Sequence, residues 1–167
     1  MRSVALASIA VAALFVIVGC DERSATGPPS VRLGDSVCAQ CNMIISDERW
    51  ATATIIEGPR GGEPRLFDDF NCQVAFESEH PDTAALARWS HSFTTSEWIQ
   101  TQNAYFLMSP NLRTPMGSQV AAFATQAELD GARRELTGNE MTFDGAWRHL
   151  SRAHTTNADS SNEGDTP

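Results

Sequence analysis

The pattern of hydrophobic and polar positions between residues 36 and 152 changes its period several times, which predicts both strands and helices. Residues 50–57 alternate in part and are rich in β-branched side chains, as a strand requires. A Gly/Pro-rich turn at residues 58–62 leads to an apolar return segment that begins at residues 65–67, and together these predict a hairpin. Residues 71–79 then predict a short helix.

The second part of this region repeats the pattern. Residues 84–93 allow either an extension of the first helix or a third strand. Two further strands are predicted at residues 104–108 and 119–123. Thr125 to Glu128 fits a capping box that opens a helix ending before Gly138, and a short element at residues 144–150 closes the region.

The order of these elements predicts an α+β fold, a small domain of β-hairpins with short helices. Interleaved hairpins and helices favour this class over a doubly wound parallel sheet. The order ββα followed by ββα also predicts two similar halves, although the two sequences show little self-similarity.

The first residues have the composition of an export signal. Arg2 is the only charge before an apolar run that continues to Val18 and is shorter than the roughly 20 residues of a membrane-spanning helix. Ile17-Val18-Gly19-Cys20 resembles the lipobox of bacterial lipoproteins, in which the cysteine carries the lipid. We therefore predict a signal peptide at residues 1–19 and lipid attachment at Cys20, so that the protein is exported and anchored to a membrane, facing the periplasm or the exterior.

The rest of the chain divides by composition into three parts. Residues 20–35 lack an apolar period and predict a linker between lipid and domain. The α+β domain is predicted at residues 36–152. Residues 153–167 are rich in Asn, Asp, Ser and Glu and predict a disordered acidic tail.

Charge and motif content exclude several functions. The chain has 12 basic and 21 acidic residues and a net charge of −9, and it lacks the basic cluster that nucleic-acid binding requires. Its sequence contains no nucleophile elbow, no His-Glu-x-x-His motif and no phosphate-binding glycine loop. Hydrolytic catalysis therefore has little support, and we predict that the protein is not an enzyme.

The cysteines give the strongest chemical signal. Besides Cys20 there are three, Cys38, Cys41 and Cys72, an odd number for a protein of an oxidising compartment. Cys38-x-x-Cys41-x-Met43 places two thiols and a thioether within six residues, and such soft donors select Cu(I). The spacing leaves three alternatives open: a structural disulfide, a redox pair, and a zinc site completed by Cys72 or a histidine.

Other residues are weaker candidates. Met116 lies in a Pro/Gly turn, where a methionine is more often exposed than part of a core. Asp68 and Asp69 suit hard cations, a supporting position beside a metal ligand, or a helix N-cap. Cys72, on the helix that follows them, is interpreted mainly as a buried thiol.

Taken together, three segments resemble the NosL family, accessory lipoproteins of nitrous oxide reductase. They are Cys38-x-x-Cys41-x-Met43, Phe67-Asp68-Asp69-Phe70-Asn71-Cys72, and the stretch at residues 98–123. The resemblance implies a chaperone that carries Cu(I) to nitrous oxide reductase or to another exported copper enzyme.

The same resemblance implies roles for individual residues. Cys41 and Met43 would be copper ligands, with Met116 as the third. Cys38 is a further candidate from the Cys-x-x-Cys-x-Met spacing alone. Asn42 replaces the family's glycine and is one of the few residues that tolerate left-handed backbone angles. A thiol–disulfide reductase that uses Cys38 and Cys41 on an exported apo-enzyme is the alternative.

Overall fold

The computed structural model describes residues 26–59 and 61–162, and it contains two antiparallel sheets with three α-helices. The predicted signal peptide and lipid-bearing Cys20 lie outside the described residues. The α+β class predicted from the sequence is confirmed. The first sheet has four strands and the second has three.

The first half is a ββαβ unit with one additional short strand. Its elements are β1 (Thr52–Gly58), β2 (Gly61–Phe67), α1 (Phe70–Glu79), β3 (Ala85–His91) and β4 (Trp98–Gln100). The strand order is β2-β1-β3-β4. Residues 84–93, which the sequence left undecided, therefore form a strand. Pro64 is tolerated within β2 because β2 is an edge strand, where a missing N–H faces away from the partner.

The second half repeats this topology. Its elements are β5 (Tyr105–Met108), β6 (Val120–Phe123), α2 (Gln126–Glu135), β7 (Asn139–Met141) and α3 (Phe143–Asn162). The strand order is β6-β5-β7, so each half pairs its first strand with both a hairpin partner and a strand that follows the helix. The prediction of two ββα halves was therefore one strand short in each half.

Two element boundaries differ from the sequence prediction. The strand β2 begins at Gly61 instead of Arg65, because the hairpin pairs Gly58 directly with Gly61. The helix α3 does not end at Leu150 but continues to Asn162, into the segment that was predicted to be disordered. Extending an existing helix adds one hydrogen bond for each residue fixed. A polar segment can therefore continue a helix that has already formed. Residues 163–167 lie outside the described part of the chain.

The two halves share a core. Phe70 and Val74 of α1 pack with Phe106 of β5 and with Leu150 of α3, and the Phe70 and Phe106 rings stack with centroids 5.3 Å apart. This shared core fixes the start of α1 relative to the second sheet.

Within the described residues, no helix is both long and apolar enough to cross a membrane.

Candidate metal site

The loop that carries Cys38, Cys41 and Met43 is a tight reversal of the chain. Val37 and Ile44 form an isolated antiparallel bridge, and the N–H of Cys38 donates to the carbonyl oxygen of Met43 at 2.8 Å. Asn42 closes the turn with φ of 61°. The left-handed conformation that glycine would supply in the family motif is therefore adopted by asparagine, one of the few side chains for which it is common.

Backbone and side-chain hydrogen bonds hold this loop on the junction between β2 and α1. The N–H of Ala39 donates to the carbonyl oxygen of Leu66 at 2.7 Å, near the end of β2. The Gln40 side chain donates to both carboxylate oxygens of Glu79, at 3.0 and 3.1 Å, at the end of α1. The loop sulfurs are thereby placed over the first turn of α1.

Cys72 lies in that first turn and completes a cluster of three free thiols. The Sγ atoms of Cys38, Cys41 and Cys72 all lie within 4.8 Å of one another. Cys38 and Cys72 are buried with Phe67 and Phe76, whereas Cys41 is half-buried at the edge of the cluster. Among the described residues, this is the set of Cys, His and acidic side chains that is close enough to hold a metal ion.

Hydrogen bonds concentrate negative charge on Cys38. The thiol of Cys72 donates to the Cys38 sulfur, and with the backbone N–H groups of Cys41, Asp68 and Gln40 it outweighs burial and lowers the pKa of Cys38 to about 5. The same hydrogen bond to Cys38 raises the pKa of Cys72, and burial and the charge on Cys38 act in the same direction. Burial raises the pKa of Cys41, partly offset by the N–H of Met43.

The two thioether candidates lie at the surface. The side chain of Met43 is 54% exposed and that of Met116 is 37% exposed. Both are therefore accessible to an incoming donor, as the sequence predicted for Met116.

The turn that carries Met116 is tied to the start of α1. The Asp69 carboxylate accepts hydrogen bonds from the Thr114 hydroxyl at 2.7 Å and from the N–H groups of Met116 and Ser118 at 2.9 and 3.2 Å. The Asn71 side chain donates to the carbonyl oxygen of Met116 at 2.6 Å. Since Asn71 precedes Cys72, the backbone of the Met116 turn is held beside the thiol cluster.

The two aspartates have different surroundings. Asp69 is 1% exposed and anchors the Met116 turn with one oxygen. The backbone N–H of Asp68 donates to the Cys38 sulfur. The Asp68 carboxylate accepts from the N–H of Ser46, but burial dominates and raises its pKa. Its Oδ1 atom is buried and has no hydrogen-bond partner among the described residues.

Comparisons with known proteins identify the family and support the fold. The NosL family model matches residues 31–148. The chain belongs to the NosL family. Among solved structures, this NosL-family protein matches a crystal structure described as the copper chaperone NosL from Shewanella denitrificans. The TM-score is 0.58 at 14% identity, and the match covers 71% of this chain and 94% of that one. The comparison with curated proteins gave no match.

Proposed function

We propose that this NosL-family protein is a copper chaperone that binds Cu(I) as cargo and releases it to an exported copper enzyme. The observation that carries the proposal is the convergence of three free thiols within 4.8 Å. Thiolate and thioether sulfur are soft donors that favour Cu(I) over harder divalent ions. The crystal structure that shares this fold is itself described as a copper chaperone.

Cys41 and Met43 are the ligands we propose first, with Cys38 and Met116 completing the set. Cys41 is half-buried and Met43 is exposed, so a partner protein can reach both side chains from solvent. A thioether needs no deprotonation and remains a donor at any physiological pH. Ligands at the surface allow a partner's donor to enter before the last ligand leaves, so that copper is transferred without being free. No catalytic step is part of this function.

The proposed setting is the outer surface of a bacterial membrane or the periplasm. The composition of residues 1–20 supports export and a lipid on Cys20. The resemblance to accessory lipoproteins of nitrous oxide reductase supports that enzyme, or another exported copper enzyme, as the recipient.

A competitive Cu(I) titration tests the proposal. The mature chain from residue 21 onward, fully reduced, is titrated against a chromogenic Cu(I) chelator. We expect about one tightly bound ion, and Cys41→Ser should lower the affinity at least about tenfold, the equivalent of 1.4 kcal/mol. Met141→Leu changes a thioether on β7 and is the matched control, expected to bind as the wild type does. Failure of the reduced wild type to compete with the chelator contradicts the proposal.

The reductase alternative makes the opposite prediction. The lowered pKa of Cys38 is also the property of a reactive thiol. If Cys38 and Cys41 reduce disulfides of a model substrate without metal while Cu(I) is not retained, the protein is a reductase.

A further inference from the structure

Cys72 is positioned to bind the same ion as the two loop cysteines. Three sulfurs that each lie about 2.3 Å from one metal ion are about 4 Å apart. The three Sγ atoms are already within 4.8 Å of one another, so a small side-chain adjustment would bring them into contact with one ion. Cys38 and Cys72 are 0% and 5% exposed, so an ion held there would be shielded from solvent.

We propose that Cys72 is a copper ligand, and that the protein holds its cargo alternately at two sites that share Cys41. The inner site consists of Cys38, Cys41 and Cys72. The outer site consists of Cys41, Met43 and Met116. This inference rests on the proposed function of the protein as a Cu(I) carrier and specifies how the cargo is stored and released.

The surroundings of the inner site compensate its negative charge. Backbone N–H groups of Gln40, Cys41 and Asp68 donate to the Cys38 sulfur, and that of Met43 donates to the Cys41 sulfur. Cys72 is the third residue of the ten-residue helix α1, whose N-terminal dipole favours a thiolate. A buried site with three thiolates is therefore stabilised by N–H groups of the protein.

Binding at the inner site requires the release of protons but no electron transfer. All three cysteines bind the ion as thiolates, and any S–H proton that a cysteine carries is released to solvent when its sulfur binds. The copper remains Cu(I) throughout. Movement to the outer site replaces the sulfurs of Cys38 and Cys72 by those of Met43 and Met116, while Cys41 stays bound and the protons that Cys38 and Cys72 gave up on binding are taken up again from solvent.

The inner site suits storage of the copper ion, and the outer site suits its release. Three thiolates bind Cu(I) strongly and keep it from competitors, whereas neutral thioethers are weaker donors that a client's ligand can displace. Cys41 is suited to both sites because it lies at the edge of the cluster and only two residues before Met43. The backbone of the Met116 turn is held at the start of α1 by Asn71 and Asp69, in the same helical turn that carries Cys72.

Selenium labelling distinguishes the two sites. The mature chain is produced with selenomethionine in place of methionine, loaded with one equivalent of Cu(I), and measured by X-ray absorption at the copper edge. In the wild type we expect about three sulfur scatterers and no selenium. In Cys72→Ser we expect selenium to appear beside copper, together with an affinity lowered at least about tenfold, because the ion moves to the outer site.

A kinetic measurement tests the outer site. We expect Met43→Leu combined with Met116→Leu to slow copper transfer by a larger factor than it lowers Cu(I) affinity. The same variant should transfer copper to a chelator at least about tenfold more slowly. Met108→Leu, a conservative change on β5, is the control for both readouts.

The outcomes separate the inference from the proposed function. Selenium beside copper in the wild type, with Cys72→Ser unchanged in spectrum and affinity, overturns the role of Cys72. If Met43→Leu combined with Met116→Leu lowers the Cu(I) affinity and the transfer rate by the same factor, the arrangement of two sites that share Cys41 is wrong. A wild type that retains no Cu(I) contradicts the proposed function itself. The wild-type selenium spectrum needs no substitution at Cys72, so the test stands even if Cys72→Ser does not fold.

Discussion

Asn42 holds the sulfur-bearing loop in a left-handed conformation, with φ of 61°. Glycine adopts this conformation without steric cost, whereas a residue with Cβ and no helpful side chain is strained there by about 1 kcal/mol. We expect Asn42→Ala to lower the free energy of unfolding by about 1 kcal/mol, and Asn42→Gly to leave it within about 0.5 kcal/mol of the wild type. Urea unfolding of the reduced, copper-free protein measures both. Equal stability of the alanine and glycine variants would contradict the argument.

Asp69 gives a second prediction at the scale of single residues. Its carboxylate is buried and accepts three hydrogen bonds from the Met116 turn. A hydrogen bond to a charged group contributes about 1.5–3 kcal/mol, so Asp69→Asn should destabilise the protein by about 2 kcal/mol. Copper transfer should also slow, because the turn is less firmly held. Asp82→Asn removes the same charge at an exposed loop and is the control, expected to change neither urea unfolding nor the transfer rate.

The sequence identifies some residues of the site and not others, for a physical reason. Cys38, Cys41 and Met43 lie within six residues, so their spacing alone indicates that the sulfurs converge. Cys72 is 31 positions beyond Cys41, as the numbering gives, and reaches the cluster only because α1 begins beneath the loop. The anchoring role of Asp69 likewise depends on a turn that lies far along the chain. Its position directly before the predicted helix was the available signal, and it indicated an N-cap instead.

At the scale of elements, α1 is fixed to the first sheet by a partly buried ion pair. Arg88 of β3 donates to Glu77 of α1 at 2.5 Å, and the Thr54 hydroxyl of β1 donates to the same carboxylate at 2.6 Å. The two charged side chains are 25% and 11% exposed. Removing one partner of a shielded pair leaves the other uncompensated.

We therefore expect Glu77→Gln to lower the free energy of unfolding by about 2 kcal/mol, somewhat less than for a fully buried pair. The exposed pair between Arg133 and Glu140, with side chains 44% and 40% exposed, provides the comparison. Glu140→Gln should cost less than about 1 kcal/mol, since exposed pairs contribute little. Urea unfolding of both variants tests the difference, and a larger loss at Glu140 would reverse the argument.

Element prediction succeeded where a segment carries its own signal. β1 and β5 are apolar and β-branched or aromatic, and α2 begins at Thr125, whose hydroxyl accepts from the N–H of Glu128 as the capping box predicts. β4 and β7 were missed because each has three residues and is defined by its partner strand. A period cannot be recognised over three residues, so pairing alone determines these strands.

At the scale of the whole molecule, the two ββαβ halves are joined by more than the chain. Phe93, just after β3, donates its N–H to the carbonyl oxygen of Ala122 on β6 at 2.8 Å, and Ser92 forms a parallel bridge with Ala122. The shared core around Phe70 and Phe106 adds to this contact by packing α1 against the second sheet. The proposed metal site combines a loop before the first half, a helix of the first half and a turn of the second. Its geometry therefore depends on the docking of both halves.

His91 makes the stability of the folded protein sensitive to pH. The ring is 2% exposed, its Nδ1–H donates to the Ala51 carbonyl oxygen at 3.0 Å, and it stacks on Trp98 with centroids 3.7 Å apart. Burial lowers the pKa of His91, although Ala51 and the Glu48 carboxylate, 3.6 Å from Nε2, act in the opposite direction. The histidine of the unfolded chain, with a pKa near 6.5, therefore takes up a proton at a pH where the folded protein does not.

The sign of the pH effect follows from that difference. The contribution of His91 to stability is fully present above about pH 6.5 and is lost as the pH falls toward the lower pKa of the folded state. Below pH 6.5, the free energy of unfolding should fall by up to about 1.4 kcal/mol per pH unit more in the wild type than in His91→Gln. Urea unfolding of both proteins between pH 7.5 and 5.5, reduced and copper-free, measures the two slopes. Other groups titrate in the same range, but they are common to both proteins, so the difference between the slopes isolates His91. Parallel slopes would show that the buried ring is protonated as readily in the folded protein as in the unfolded chain.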